Sequence, residues 1–429
     1  MIASSPMEKT LNKWYNESIN RNNDKSAKMI IFSNDYLANL PGSKKQAKGG
    51  PANFAKRFKS FLMQTEDDCL WIGLIINFKK SIKQPRIKKI GETGESLRYY
   101  RLNIPERLIK KISRAPKKIN AAKEFKSAID LLAGLMKKTK TDVIFLNGYA
   151  LSNWLILKAA ETAAIPVAIQ HAGIWTKELE MYHDFYSPAG RKMMEDMEKE
   201  ITKIAAAEIF LNDWSRKYFN TKVGKTAGDK THIIPLPVDF KNYSCAKRNK
   251  NTGKIFDIGI IARWDRIKNH EAVAELAEQA RKLDLPWQFH SVTIIPDTSK
   301  KKRLKDSYRR NIKLVPPLNQ IGIKKFCQRM DLLILPSHFD VSPHVVLEAT
   351  GCDTPIAISP NVGFVDDFKK YGAKDWIIDF NNTAIAIRKI MAIANKPMPE
   401  KIKKILIAKH DSTKIFTSYM KLFKKIIKK

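Results

Sequence analysis

Residues Asp331–Phe364 read DLLILPSHFDVSPHVVLEATGCDTPIAISPNVGF. The apolar run DLLILPS predicts a buried strand that stops at Pro336-Ser337. SHFDVSP is a loop, VVLEAT a short helix, Gly351-Cys352-Asp353-Thr354 a turn, and PIAIS a second strand. Strand, loop, helix and strand in that order make a parallel α/β unit. The block holds two acids: Asp340 in the loop beyond the strand end and Glu348 on the helix that follows. Parallel sheets bind ligands beyond the C-terminal ends of their strands. A helix N-terminus at that edge offers free backbone N–H groups to a phosphate.

The same rhythm extends outward in both directions. Upstream of the block lie IFDIGIIAR, a helix near Glu271–Leu283, QFHSVTII, NIKLV and a helix over Lys324–Arg329. A first α/β series precedes it. Strands are predicted at Lys28–Phe32, Asp142–Leu146, Pro166–Gln170, Glu208–Leu211 and Ile233–Ile234, and Trp71–Phe78 is a further apolar run. Helices are predicted over NFAKRFKSFL, Ala121–Lys137, from Ser152, and near Gly190–Ala206. The basic stretch Lys79–Lys118, broken by Pro and Gly, reads as an elaborated loop region outside the core. The expected division is a lead-in at 1–27, a first domain at 28–240, a linker at 241–253, a second domain at 254–395 and a basic helical segment at 396–429.

Composition narrows the function classes. The chain has 429 residues, enough for two domains, with 44% hydrophobic residues. Lys and Arg number 78 against 43 Asp and Glu, a formal net charge of +35 that favours anionic partners. Cys69, Cys245, Cys327 and Cys352 are too scattered for a disulfide framework or structural zinc site, which fits a reducing compartment. No run reaches the ~18–20 apolar residues of a membrane span. The expected location is therefore cytoplasmic, with contact at the cytoplasmic membrane face only peripheral. The tail from about Glu400 to Lys429 interleaves lysines with Ile, Leu and Phe, a pattern suited to an anionic membrane surface. Val223-Gly224-Lys225-Thr226 is a partial phosphate-loop match, but Phe219 stands where that loop needs Gly. Neither Asp-x-Asp, Gly-x-Ser-x-Gly, His-Glu-x-x-His nor Gly-x-Gly-x-x-Gly occurs.

The block resembles the nucleotide-binding signature of glycosyltransferase family 4, through Asp331, Pro336, Ser337, Asp340, Glu348, Ala349, Gly351, Pro355 and Gly363. Two departures stand out. Asp340 replaces the usual Glu, and Cys352-Asp353 lengthens the turn before Thr354-Pro355. GIIARWDRIKN, with Arg263 and Lys268, resembles the family's Gly-Arg-x4-Lys segment. Weaker similarities are the Gly49-Gly50 loop, His171 after PVAIQ, IIPLPVDF with Pro237 in place of Gly, and the closing segment DSTKIFTSYMKLFKKIIKK.

The resemblance implies a GT-B fold: two Rossmann-like domains with parallel sheets facing a cleft, and a C-terminal helix returning to the first domain. It implies a retaining, metal-independent transferase with no cofactor besides a UDP- or GDP-type sugar donor, acting on a glycan or lipid-linked acceptor. Glu348 would hold the ribose and Asp340 the donor-sugar hydroxyls. Arg263 and Lys268 would steady the departing diphosphate. His171 and Gly49-Gly50 would complete the site, with Ser342, Val345 and Gly363 counted among the donor-binding residues. The rival reading is a catalytically inactive GT-B-fold protein that binds a polyanion such as nucleic acid. A nucleic-acid partner is not expected if the donor motif is functional.

Overall fold

The structure is a computed structural model that describes residues 28–40, 50–65, 69–243, 255–296 and 302–428. The lead-in, Gly49 and most of the linker lie outside the described residues. Eight strands form the first sheet: β1 (Met29–Asn34), β2 (Cys69–Lys79), β3 (Arg86–Thr93), β4 (Leu97–Pro105), β5 (Val143–Asn147), β6 (Val167–His171), β7 (Ala207–Phe210) and β8 (Thr231–Ile233). Their order is β3-β4-β2-β1-β5-β6-β7-β8. All neighbours are parallel except β3 and β4. β5 is buried along all five residues, as a strand covered on both faces must be.

Helices cover both faces. α1 (Gly50–Gln64) buries Phe54, Ala55, Phe58 and Leu62, spaced three and four apart along one stripe. The other helices used below are α2 (Glu106–Ser113), α3 (Lys126–Lys138), α4 (Leu151–Ala163), α5 (Trp175–Met181) and α6 (Asp213–Lys222). Two expected helices are divided. Phe125 separates Ala121–Glu124 from α3, and Glu200 separates Pro188–Lys199 from Ile201–Ile204.

The basic stretch Lys79–Lys118 is not a loop region. It contains all of β3, β4 and α2, with Leu102, Ile104 and Ile112 fully buried. The strands were hidden because their charged residues alternate with apolar ones. Only the apolar half enters the core.

The second sheet comprises β9 (Phe256–Ile261), β10 (Trp287–Val292), β11 (Ile312–Val315), β12 (Leu332–Leu335) and β13 (Ile356–Ile358). Its order is β11-β10-β9-β12-β13, parallel throughout. The order reverses between β9 and β12. The loops after those two strands therefore diverge and leave a crevice at the C-terminal edge. α7 (His270–Lys282) follows β9, and α8 (His344–Gly351) follows β12.

The last helix, α9 (Ser412–Ile427), returns to the first domain. Phe416 stacks on Phe58 at 5.1 Å between centroids. The Tyr419 hydroxyl donates to Gln170 Oε1 at 2.6 Å. The apolar stripe of the tail is thus consumed by packing. Val238 N, before the linker, donates to His410 O at 2.8 Å and ties both crossings together.

Candidate functional site

The loop Pro336–Pro343 is fixed from several sides. Asp340 N donates to Asn361 O at 3.2 Å, and Gly363 N donates to Asp340 O at 2.9 Å. A Cβ on Gly363 would lie 1.9 Å from Val341 O, so only glycine permits this approach. Asn212, from the first domain, donates its Nδ2 to Val341 O at 2.7 Å. Asp340 is thereby held so that its carboxylate pairs with Lys268.

Lys268 closes a one-turn 3-10 helix, Arg266–Lys268, just beyond β9. Asp265 caps that turn by accepting from Ile267 N at 3.0 Å. Asn269 then takes a left-handed conformation, φ 55°, and its side chain caps α7 while also reaching Pro336 O at 3.2 Å. Arg263 stands apart: its side chain is 70% exposed, with Asp265 at 3.8 Å.

α8 begins at His344, with Ser342 buried before it and Val345 buried in its first turn. The Ser342 hydroxyl and His344 Nε2 are buried without hydrogen-bond partners among the described residues. Burial, with Arg57 and His410 nearby, pushes the His344 imidazole down to about 3 and keeps it neutral. Across the cleft, a Cβ on Gly50 would lie 3.6 Å from His344 Cδ2. The N-termini of α1 and α8 therefore face each other, and their dipoles make the gap favourable for an anion. One turn along α8, Glu348 accepts from the Tyr243 hydroxyl at 3.1 Å. Burial raises its carboxyl pKa, while the Tyr243 bond and Arg57 oppose that rise.

His171 ends β6 and is wholly buried. Its Nε2 lies 3.2 Å from Glu208 Oε2, and its ring stacks on Phe210 at 4.4 Å. The structure thus gathers Gly50, Lys268, Asp340, Ser342, Val345, Glu348 and Gly363 at one cleft. Arg263 is largely exposed, and His171 is wholly buried with Glu208 and Phe210 as its partners.

Sequence reasoning missed four residues here. Arg57, on α1, donates to Pro237 O at 2.9 Å and acts electrostatically on both His344 and Glu348. Tyr243 stands at the start of the linker. Tyr182 donates its hydroxyl to Asp265 across the cleft. The fourth, Glu178 on α5, lies over Gly173, where a Cβ would sit 2.3 Å from its Oε1. Burial and the neighbouring Glu198, Asp340 and Asp265 push Glu178 up to about 7. None carried a motif signal, since each reaches the site from an element remote in sequence.

Residues 246–407 match the sequence model of the family described as glycosyl transferases group 1. The chain carries a group 1 glycosyltransferase domain. That domain contains Arg263, Lys268, Asp340, Glu348 and Gly363, and with it the chain is a sugar-transferring enzyme. Solved structures show the same two-domain GT-B fold. Sucrose-phosphate synthase from Thermosynechococcus elongatus superposes with a TM-score of 0.69 at 14% identity, covering 93% of this chain and 99% of that one. The E. coli trehalose-6-phosphate structure bound with UDP-2-fluoro glucose gives 0.62 at 12% identity, covering 93% and 99%. The Anabaena HepE structure in complex with UDP and glucose gives 0.63 at 12% identity, covering 93% and 100%. No curated protein matches the transferase by sequence. Among its described residues, no helix is long and apolar enough to cross a membrane.

Proposed function

We propose that the transferase moves a sugar from a nucleotide-diphosphate donor to a glycan or lipid-linked acceptor, with retention of anomeric configuration and without a metal. The observation that carries this reading is the Lys268–Asp340 pair beside the facing N-termini of α1 and α8. It supplies a cation and two helix dipoles for a diphosphate, with a carboxylate beside them for a sugar hydroxyl.

In this reading Lys268 releases Asp340 to meet the diphosphate, and Arg263 swings in from solvent. Asp340 then accepts from donor-sugar hydroxyls, and Glu348 accepts from the ribose through charge-assisted hydrogen bonds. Gly50, Ser342, Val345 and Gly363 line the donor. His171 supports the wall near the transferred sugar. Charge builds on the leaving phosphate as the glycosidic bond breaks, and fixed cations there lower the barrier. The acceptor hydroxyl attacks from the same face, its proton passing to the departing phosphate. Metal independence rests on the family resemblance and on the two cations. An anionic membrane surface remains a proposed partner through the basic face.

The test is a thermal-shift screen of UDP- and GDP-sugars, followed by product NMR on any donor that stabilises the fold. Stabilisation by at least one donor, with an unchanged anomeric configuration in the product, is the expected result. No stabilisation by any donor, or an inverted product, overturns it.

A further inference from the structure

The first sheet does not end evenly. β2 pairs with β1 up to Leu74 and then continues to Lys79, about 16 Å further. β4 accompanies it to Pro105, and β3 pairs back along β4. A three-stranded overhang therefore rises beyond the C-terminal edge of the sheet, the edge that carries Gly50 and His171.

The overhang is two-faced. Ile76, Phe78, Leu102, Ile104 and Ile87 pack into the same core as Ile112 of α2. Strand alternation sends their neighbours to the opposite face. The register sets Asn103 between Arg86 and Asn77, and Arg101 between Lys88 and Ile75. Lys79 follows two residues after Asn77. Lower on this same face, α1 covers the sheet: Phe58 packs on Trp71, and Lys59 bonds the Tyr99 hydroxyl. Above that point, past the buried Ile75, the face carries Lys79, Arg86, Lys88 and Arg101 with the neutral Asn77 and Asn103. The nearby acids are engaged elsewhere, with Glu92 on Lys89, Glu95 on Lys28 and Glu106 on Lys110.

Lysines on an exposed edge strand are ordinary protection against aggregation. That accounts for Lys88 on β3. It does not account for β4, an interior strand. There Arg101 Nε and Asn103 Oδ1 are buried without hydrogen-bond partners among the described residues. An unsatisfied guanidinium nitrogen costs stability unless something fills its place.

The geometry points to this shelf as the acceptor subsite, with a phosphate-bearing group held by Arg101, Lys88 and Arg86. This deepens the proposed transferase reading and rests on it. Arg101 and Lys88 are cross-strand neighbours, so one phosphate can accept from both, while Asn77 and Asn103 add neutral polar contacts. The overhang rises from the same sheet edge as Gly50, so a phosphate anchored there leaves the rest of the acceptor free to extend toward the donor.

The test uses the full chain and two probes: sn-glycerol 3-phosphate by calorimetry, and phosphatidylglycerol or phosphatidylcholine vesicles by flotation. Wild type and Lys268→Ala are expected to bind one phosphate probe alike. Arg101→Gln and, on the exposed edge, Lys88→Gln are each expected to bind it about tenfold more weakly. Binding of the free ester assigns a soluble phosphorylated acceptor. Binding only of phosphatidylglycerol vesicles assigns a lipid headgroup. Lys88→Gln keeps the test valid should Arg101→Gln unfold. Equal affinity in wild type and Lys88→Gln, or no binding of either probe, overturns the subsite. UDP titration of the same samples is a separate readout: absent UDP binding with intact phosphate-probe binding counts against the donor reading alone.

Discussion

Lys268 and Asp340 form an ion pair although 72 residues separate them in sequence. One ends the turn after β9 and the other sits in the loop after β12, the two strands between which the sheet order reverses. In the proposed reading a diphosphate takes Lys268 from its carboxylate. Lys268→Ala is expected to weaken UDP binding by about 1.5–3 kcal/mol. Asp340→Asn is expected to tighten UDP binding while lowering turnover, since it frees the lysine but removes a sugar contact. Calorimetry on both variants checks this. Weaker UDP binding in Asp340→Asn would show that the carboxylate assists the diphosphate rather than competing with it.

Glu348 is expected to matter more to catalysis than Asp340. It stands on α8, whose Val346, Leu347 and Ala349 are fully buried, so its carboxylate is rigidly placed. Glu348→Gln should lower kcat/KM more than Asp340→Asn for every acceptor. Tyr243→Phe removes a hydrogen bond that favours the charged carboxylate, so the Glu348 pKa should rise further. The acid limb of the rate profile should then move to higher pH. Steady-state kinetics against pH, with circular dichroism to confirm folding, provides the measurement.

Glu178 makes stability depend on pH. Its folded pKa of about 7 lies above the ordinary 4.5, because burial and the carboxylates of Glu198, Asp340 and Asp265 outweigh Lys268. The folded state therefore holds a proton that the unfolded state gives up. That stabilisation is complete below about pH 4.5 and is lost as pH rises through about 7. Glu178→Gln should accordingly raise the melting temperature more at about pH 8 than at about pH 5. Equal shifts at both values would mean that Glu178 is not protonated in the folded cleft.

The closing helix is expected to be structural. Phe416 touches Phe54, Phe58 and Phe61. Phe416→Ala should destabilise the protein by about 3–5 kcal/mol, as other large buried aromatic truncations do. Chemical denaturation gives the value. A loss below about 1 kcal/mol would show that α9 docks only loosely.

The second domain was legible because its signals are local. β12 is an unbroken apolar run, Pro336-Ser337 ends it, and VVLEAT reads as the short helix between two strands. The acids and cations of the candidate site stand at the junctions of those same elements, so reading the elements located Asp340, Glu348, Arg263 and Lys268. Sequence also marked the tail as amphipathic. It did not say that α9 would spend its apolar stripe on Phe58 and Gln170, because that depends on where the chain crosses back.

Tertiary structure decided the rest. It turned the basic stretch Lys79–Lys118 into strands and a helix, since charge and core alternate residue by residue and only pairing with β2 shows which face is buried. It brought Arg57, Glu178, Tyr182 and Tyr243 to the cleft from three separate elements of the first domain and its exit. Sequence determined the chemistry that each segment can offer. Only the packing of the loops and helices of the two domains determined which side chains share a low-dielectric cleft, and there proximity and desolvation set charge state and pairing.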